Sequence, residues 1–227
     1  MSEKSLYFSL SKLEKYRRVA LGLTSFDTYE ALVETLAGAF VPNHKTSYGN
    51  AFHAILESPA RFVQNDGSYL VTPADGVDGV IEEHLFKPKD AQIIDQHRAA
   101  ITPCSFEVSS KAVYQVAGRR VTVSLRADVL KGLTIRDTKT VFRKPEPQDY
   151  VDSLQWRVYL DALDCNRFVY DLFQVNETKS RGTELYEPVQ IECVPYPGMR
   201  DDVLHWIAAF VKFCQDKGLV HYIESKY

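Results

Sequence analysis

A chain of 227 residues can bury a full core, and with 45% apolar and 25% charged residues it has the composition of an ordinary globular protein. No apolar run approaches the length of a bilayer span, and the opening Met1-Ser2-Glu3-Lys4-Ser5 leads into no signal-peptide core, so a cytoplasmic protein is the expectation. The net charge of −3 does not by itself mark a nucleic-acid binder, but it is unevenly spread: Lys111 to Arg157 holds ten Lys/Arg against five Asp/Glu, which makes that window +5 and the remainder −8.

The predicted elements begin with a helix opened by the capping-box spacing of Ser11 and Glu14 and running to about Leu21. A second helix is expected from Thr28 to Phe40, where Val41-Pro42-Asn43 breaks it, and a third from about Ser47 to Glu57, stopping before Ser58-Pro59. Gly76 to Gly79 interrupts the chain, and Lys89 to Ala100 is again helical. The period then changes. Val121, Val123, Leu125 and Ala127 alternate with Thr122, Ser124, Arg126 and Asp128, the pattern of a half-buried strand. Ala117-Gly118 turns the chain before it, so Lys111–Val116 is its antiparallel partner, and Leu133 to Thr140 is the next strand. A helix from Gln148 to Asp164, strands near 167–175 and 189–194, and an amphipathic helix from Met199 to Lys217 complete a mixed α/β layout without repeats.

Three places carry chemistry. Residues two apart on a strand share a face, so Asp137 and Lys139 point the same way, and Asp128 sits across the Lys131-Gly132 turn on the neighbouring strand. Two carboxylates and a backbone carbonyl are the hard oxygen ligands that Mg²⁺ or Mn²⁺ prefers, and a lysine beside them can orient water or neutralise charge developing on phosphorus. Taken alone, this spacing also fits a surface salt bridge on a charged hairpin. His53 lies mid-helix among Phe52, Ala54, Ile55 and Leu56, one turn after Gly49, and no second histidine is spaced for a zinc site. Gln155 and Tyr159 are i,i+4 neighbours on one helix face. Cys104, Cys165, Cys193 and Cys214 are widely scattered, lack metal-ribbon spacing, and read as buried or inert thiols.

The order of these features resembles the PD-(D/E)XK nuclease superfamily in its RecB-like branch. Within it, the chain is most similar to the nuclease domain of the exodeoxyribonuclease VIII (RecE) family and to phage-type exonucleases. Gly49–Phe62 (GNAFHAILESPARF) resembles that family's G-x-x-x-H helix and its Leu-Glu-x-Pro exit. Arg126-Ala-Asp128 matches its R-x-D, Asp137-Thr-Lys139-Thr140 its D-x-K-T, and Gln155 with Tyr159 its Q-x-x-x-Y. Ser9 to Leu13 is similar to its first helix, so the likeness spans roughly Ser9 to Leu163.

The resemblance implies one nuclease domain over 1–227 with a restriction-endonuclease-like core, a central mixed sheet flanked by helices. It divides into a mainly helical part (1–100), a catalytic sheet with the Gln/Tyr helix (108–195) and a C-terminal helix (198–227). It implies an Mg²⁺- or Mn²⁺-dependent DNA exonuclease of recombination and repair, of phage or prophage type. Asp128, Asp137, His53 and the Thr138 carbonyl would hold the ion, and Lys139 would position the attacking water. Gln155 and Tyr159 would order the site and contact the substrate, and Arg126 and Arg157 would hold phosphates. The iron–sulfur relatives carry a cysteine pattern that this chain lacks, so no cluster is expected. The partners implied are DNA, a single-strand annealing protein and a ring-shaped homo-oligomer, without a membrane. An endonuclease or structure-specific nuclease of the same fold, and a catalytically idle DNA-binding or scaffold subunit, are the alternatives.

Overall fold

The computed structural model describes residues 5–39, 41–178 and 182–224. Its elements are β1 (Leu6–Ser9), α1 (Leu10–Leu21), α2 (Tyr29–Ala37), α3 (His44–Glu57), β2 (Tyr69–Val71), β3 (His84–Phe86) and α4 (Pro88–Ile101). Then come β4 (Ser105–Val116), β5 (Arg119–Lys131), β6 (Thr134–Val141), α5 (Pro147–Val151) and α6 (Gln155–Leu163). β7 (Arg167–Thr178), β8 (Gly182–Leu185), β9 (Val189–Cys193) and α7 (Met199–Asp216) follow. The result is a mixed α/β architecture built on a mixed sheet. Among the described residues, no helix is long and apolar enough to cross a membrane.

The sheet has a fork in it. β4 and β5 form a long antiparallel pair from Ser105↔Leu130 to Val116↔Arg119. On its other edge β5 is shared. Val121–Ser124 pair in parallel with all of β1, whereas only Val129–Lys131 pair with β6. Residues 125–128 therefore fall between the two ladders. β6 leaves β5 because it runs parallel to β7 along its whole length, from Thr134↔Arg167 to Val141↔Gln174. A buried ion pair anchors that choice: Arg136 donates to both oxygens of Asp171 at 2.7 and 2.6 Å, and the Asp171 side chain is fully buried. Gln190 donates to the same carboxylate at 2.8 Å.

Two apolar layers cover the sheet. Leu125, Ala127 and Ile135 pack with α1, α6 and α7. Phe173 and Val175 of β7 pack on the other side with α3, α4 and Phe86. Phe52 and Phe173 meet at 4.8 Å between ring centroids, which seats α3 on the sheet. A Cβ at Gly49 would lie 3.3 Å from the Thr140 hydroxyl, so α3 approaches β6 as closely as a glycine allows.

Several expectations change. α1 starts at Leu10 with Ser9 as its cap, so Ser11 and Glu14 make no capping box; Glu14 instead receives the Leu154 N–H at 3.0 Å and pairs with Arg17. α2 ends at Ala37 against left-handed Gly38, and the expected end, Phe40, lies outside the described residues, as do 225–227 of the C-terminal part. α3 starts three residues early because Asn43 and Thr46 form a reciprocal capping box. The single helix expected over 148–164 is two. Arg157 donates to the carbonyls of Asp152 and Ser153, and Trp156 donates to that of Val151, which satisfies the backbone at the break. β1, β2, β3 and β8 were not anticipated. All four cysteines are free; three are buried and Cys104 is half-buried.

Removing Arg136 strands a buried carboxylate. Arg136→Met should destabilise the protein by about 3–5 kcal/mol in urea titrations, and adding Asp171→Asn should recover part of that loss.

Candidate active site at the strand fork

A strand that leaves its neighbour exposes backbone groups that need partners, and here the partners are the residues singled out in the sequence. The Thr138 N–H, which would otherwise face β5, donates to Asp128 Oδ2 at 2.9 Å. The Tyr159 hydroxyl donates to the carbonyl of Arg126 at 2.5 Å. A strand residue sends its N–H and C=O to the same side, so the Thr138 carbonyl faces the same gap as its N–H.

The two aspartates reach this gap from opposite faces of the sheet. Asp128 belongs to the β5 face turned toward α3, where His53 Nε2 stands 4.0 Å from its Oδ2. Asp137 belongs to the β6 face turned toward α6, where Gln155 Nε2 donates to its Oδ1 at 2.7 Å. Asp137 Oδ2 lies 2.5 Å from Lys139 Nζ but is buried without a well-directed hydrogen bond. The expected pairing of Asp137 with Lys139 on one face is present. Asp128 joins them through the fork rather than by sharing their face.

These residues line a cleft of about 690 Å³, together with Gly49, Arg126 and Thr138. Burial, and next the charge of Asp137, push the Asp128 carboxyl up to about 6; the neighbouring His53 ring, the Lys139 ammonium and the Thr138 N–H oppose the rise. Burial works to lower the Lys139 pKa, but the Asp137 and Asp128 carboxylates outweigh it and leave the ammonium above its ordinary value. Burial likewise raises the Tyr159 phenol, which stays a hydrogen-bond donor.

One expected site residue lies elsewhere. Arg157 is not brought to the cleft: besides its carbonyl contacts it donates to the Tyr196 hydroxyl at 3.0 Å and lies 4.6 Å over the Trp156 ring. Tyr159 lines the cleft and also fixes the β5 backbone through its bond to the Arg126 carbonyl. Sequence reasoning also missed a residue, Glu107. It sits across β4 from Asp128 with a left-handed backbone (φ 52°), a conformation that costs a non-glycine residue on the order of 1–3 kcal/mol. The kink breaks the strand's alternation: Val108 packs with the α1/α6/α7 layer and Phe106 with the α3/α4 layer. Arg126 pairs with Glu107 at 2.6 Å. His53, Glu107 and Asp128 each offer a ligand atom within 4.8 Å of the other two.

The donor chemistry fits a hard divalent cation. Carboxylates, an imidazole and a backbone carbonyl border one cleft, and the buried Asp137 Oδ2 has the Lys139 ammonium as its neighbour at 2.5 Å. Among the described residues, no cysteine takes part in such a group.

No family model matches the chain, and no curated protein sequence matches it. The fold is similar to that of the solved structure of SSO0001, at TM-score 0.51 and 14% identity over 94% of this chain and 79% of that one. A structure named "Putative exonuclease" from Eubacterium rectale aligns at TM-score 0.46 and 12% identity over 96% of this chain and 83% of that one. The SSO0001 likeness shows that another protein adopts the same general arrangement of sheet and helices.

The raised Asp128 pKa has a stability consequence. Its folded value exceeds the unfolded one, so this group's contribution is fully present below about pH 4 and is lost as pH rises through about 6. In chelator, Asp128→Asn should therefore stabilise the protein at pH 8 by up to about 3 kcal/mol and leave it nearly unchanged at pH 4. Equal unfolding midpoints at both pH values would contradict the burial and repulsion assigned to this carboxylate.

Proposed function

We propose that this protein is a single-domain Mg²⁺-dependent DNA exonuclease of the PD-(D/E)XK superfamily, in the RecB-like branch. It would act in the cytoplasm on linear duplex DNA during recombination or repair. The observation that carries this reading is the meeting of Asp128, Asp137 and Lys139 in one cleft, with Gln155 holding one oxygen of Asp137 and the Lys139 ammonium against the other. The local excess of positive charge between Lys111 and Arg157 suits a phosphate backbone.

Asp128, Asp137 and the Thr138 carbonyl would hold the ion, with His53 beside Asp128. A bound Mg²⁺ would lower the pKa of its water and neutralise charge on the phosphate. Lys139 stays protonated, so its role is to orient the attacking oxygen and to face charge developing on phosphorus. Arg126, mostly exposed at the cleft wall, supplies a fork-shaped donor for a phosphate. Tyr159 keeps Arg126 and Asp128 in register by holding the β5 backbone. A single-strand annealing protein and a ring of identical subunits would complete the system in the phage-recombination manner.

End-labelled linear duplex and closed circular DNA, incubated with and without Mg²⁺, test the reading. Mg²⁺-dependent loss of linear DNA alone is the expected result, and cutting of circles would replace exonuclease with endonuclease. Asp137→Ala should fall to the level of a no-enzyme control, while Gln155→Ala should lose roughly 10–100-fold in activity. Full activity in Asp137→Ala, or none in the wild type on any DNA, would sink the catalytic assignment. Binding should also weaken steeply with salt as phosphate contacts release counterions.

A further inference from the structure

The cleft at the fork opens in two directions. On the α3 side, a cavity of about 600 Å³ carries the carboxylates of Glu57, Asp78, Glu107 and Asp128 against the guanidiniums of Arg61 and Arg126. On the α1 side, a larger one of about 1110 Å³ shares Arg126, Lys139, Gln155 and Tyr159 with the cleft. There Lys15, Arg18 and Lys111 join the cations, and Glu14 is the one carboxylate among the lining residues. The sheet forms part of this cavity's wall. Ser124 pairs with Ser9 of β1 on one edge and with Lys111 of β4 on the other. Paired residues share a sheet face, and Ser124, Arg126 and Asp128 follow one another on one face of β5. Hydroxyls and cations therefore lead along a single strand face to the Asp128 carboxylate. Lys15 and Arg18 are held by Asp27. Lys111 is exposed and has no carboxylate partner among the described residues. Its ammonium stands 5.6 Å from the centroid of the exposed Tyr7 ring, which also lines the cavity.

We propose that the α1-side cavity is a binding groove for single-stranded DNA, in which Tyr7 stacks on a base and Lys111 and Arg126 hold the flanking phosphates. The strand reaches the fork from this side and not across the acidic α3 side. An aromatic ring beside a cation in a basic groove suits a single strand, which offers open base faces between its charges. A duplex keeps those faces in its own stack. The hydroxyls of Ser9, Ser109 and Ser124 can bond phosphate or sugar oxygens without reading sequence. The carboxylates on the α3 side repel a phosphate backbone, which leaves the strand one approach. The groove thus takes the separated end of a linear duplex rather than the duplex itself. The inference deepens the nuclease reading and takes DNA as its ligand from that reading, but the binding can be measured without cleavage.

The test measures, by fluorescence anisotropy in chelator, the affinity of the intact protein for a labelled oligothymidylate, beside a blunt duplex and an abasic strand of equal length. The wild type should prefer the oligothymidylate to both. Tyr7→Leu should weaken that binding about 10-fold, and Tyr7→Phe should keep it, because stacking needs the ring and not the hydroxyl. The Tyr7→Leu loss should disappear on the abasic strand. Lys111→Ala should lower the slope of log affinity against log salt by roughly 0.7, and Arg61→Ala, on the acidic side, should change nothing. A blunt duplex bound as tightly as the single strand would overturn the groove. So would unchanged affinity in both Tyr7→Leu and Lys111→Ala, or a larger loss in Arg61→Ala than in Lys111→Ala. Single-strand binding that depends on Tyr7 and Lys111, in a protein that cleaves no DNA, would support the groove and count against the nuclease reading alone.

Discussion

Strand β6 borders two neighbours that run apart, and it can follow only one of them. It follows β7 from Thr134 to Val141, locked by the Arg136–Asp171 pair, and keeps only three residues of contact with β5. β5 stays with β4 and gives its other edge to β1. The gap between these ladders is the constraint on which the site depends. It exposes a Thr138 N–H that Asp128 satisfies and an Arg126 carbonyl that Tyr159 satisfies. The residues that satisfy the backbone at the fork are thus the same ones that line the cleft, so structural and proposed functional roles fall on one set of side chains.

The fork also lets charges of like sign meet. Asp128 and Asp137 come from opposite faces of the sheet, where each has its own supporting helix, α3 with His53 and α6 with Gln155. Without a cation the protein meets their repulsion partly with Lys139, whose protonated form both carboxylates favour, and partly by raising the Asp128 pKa. Glu107 adds a third carboxylate on a backbone conformation that an L-residue adopts at a cost. Buried and strained acids of this kind lower the stability of the empty site, and a divalent cation binding only the folded state would offset that loss.

Much of this was legible in the sequence because strand periodicity is local. The alternation from Val121 to Asp128 and the Asp137-Thr138-Lys139 triplet located β5, β6 and the faces of their acids. Gly49, His53, Gln155 and Tyr159 followed from helical spacing, and all of them line the cleft. What the sequence could not show is non-local. The meeting of Asp128 with Asp137 in one cleft depends on β6 choosing β7, where Asp137 pairs with the distant Tyr170, and nothing near Asp137 signals it. Glu107 was missed because Phe106-Glu107-Val108 looks like ordinary alternation; only the left-handed φ reveals that the strand switches faces there. Arg157 was misassigned because a cation on the Gln/Tyr helix looked available, whereas its guanidinium mends the break between α5 and α6. The Ser11–Glu14 box failed similarly, since Glu14 is drawn to the Leu154 N–H from a distant part of the chain.

The proposed function requires a divalent cation at the fork between β5 and β6, held by Asp128 and Asp137 from opposite faces of the sheet. Anomalous diffraction from crystals grown with Mn²⁺ tests it most directly. The expected result is an anomalous peak in the gap, in contact with carboxylate oxygens of both Asp128 and Asp137 and with the Thr138 carbonyl. A Mn²⁺-saturated crystal with no peak at the fork, or with the ion held elsewhere and the two aspartates free of it, would contradict a cation site there.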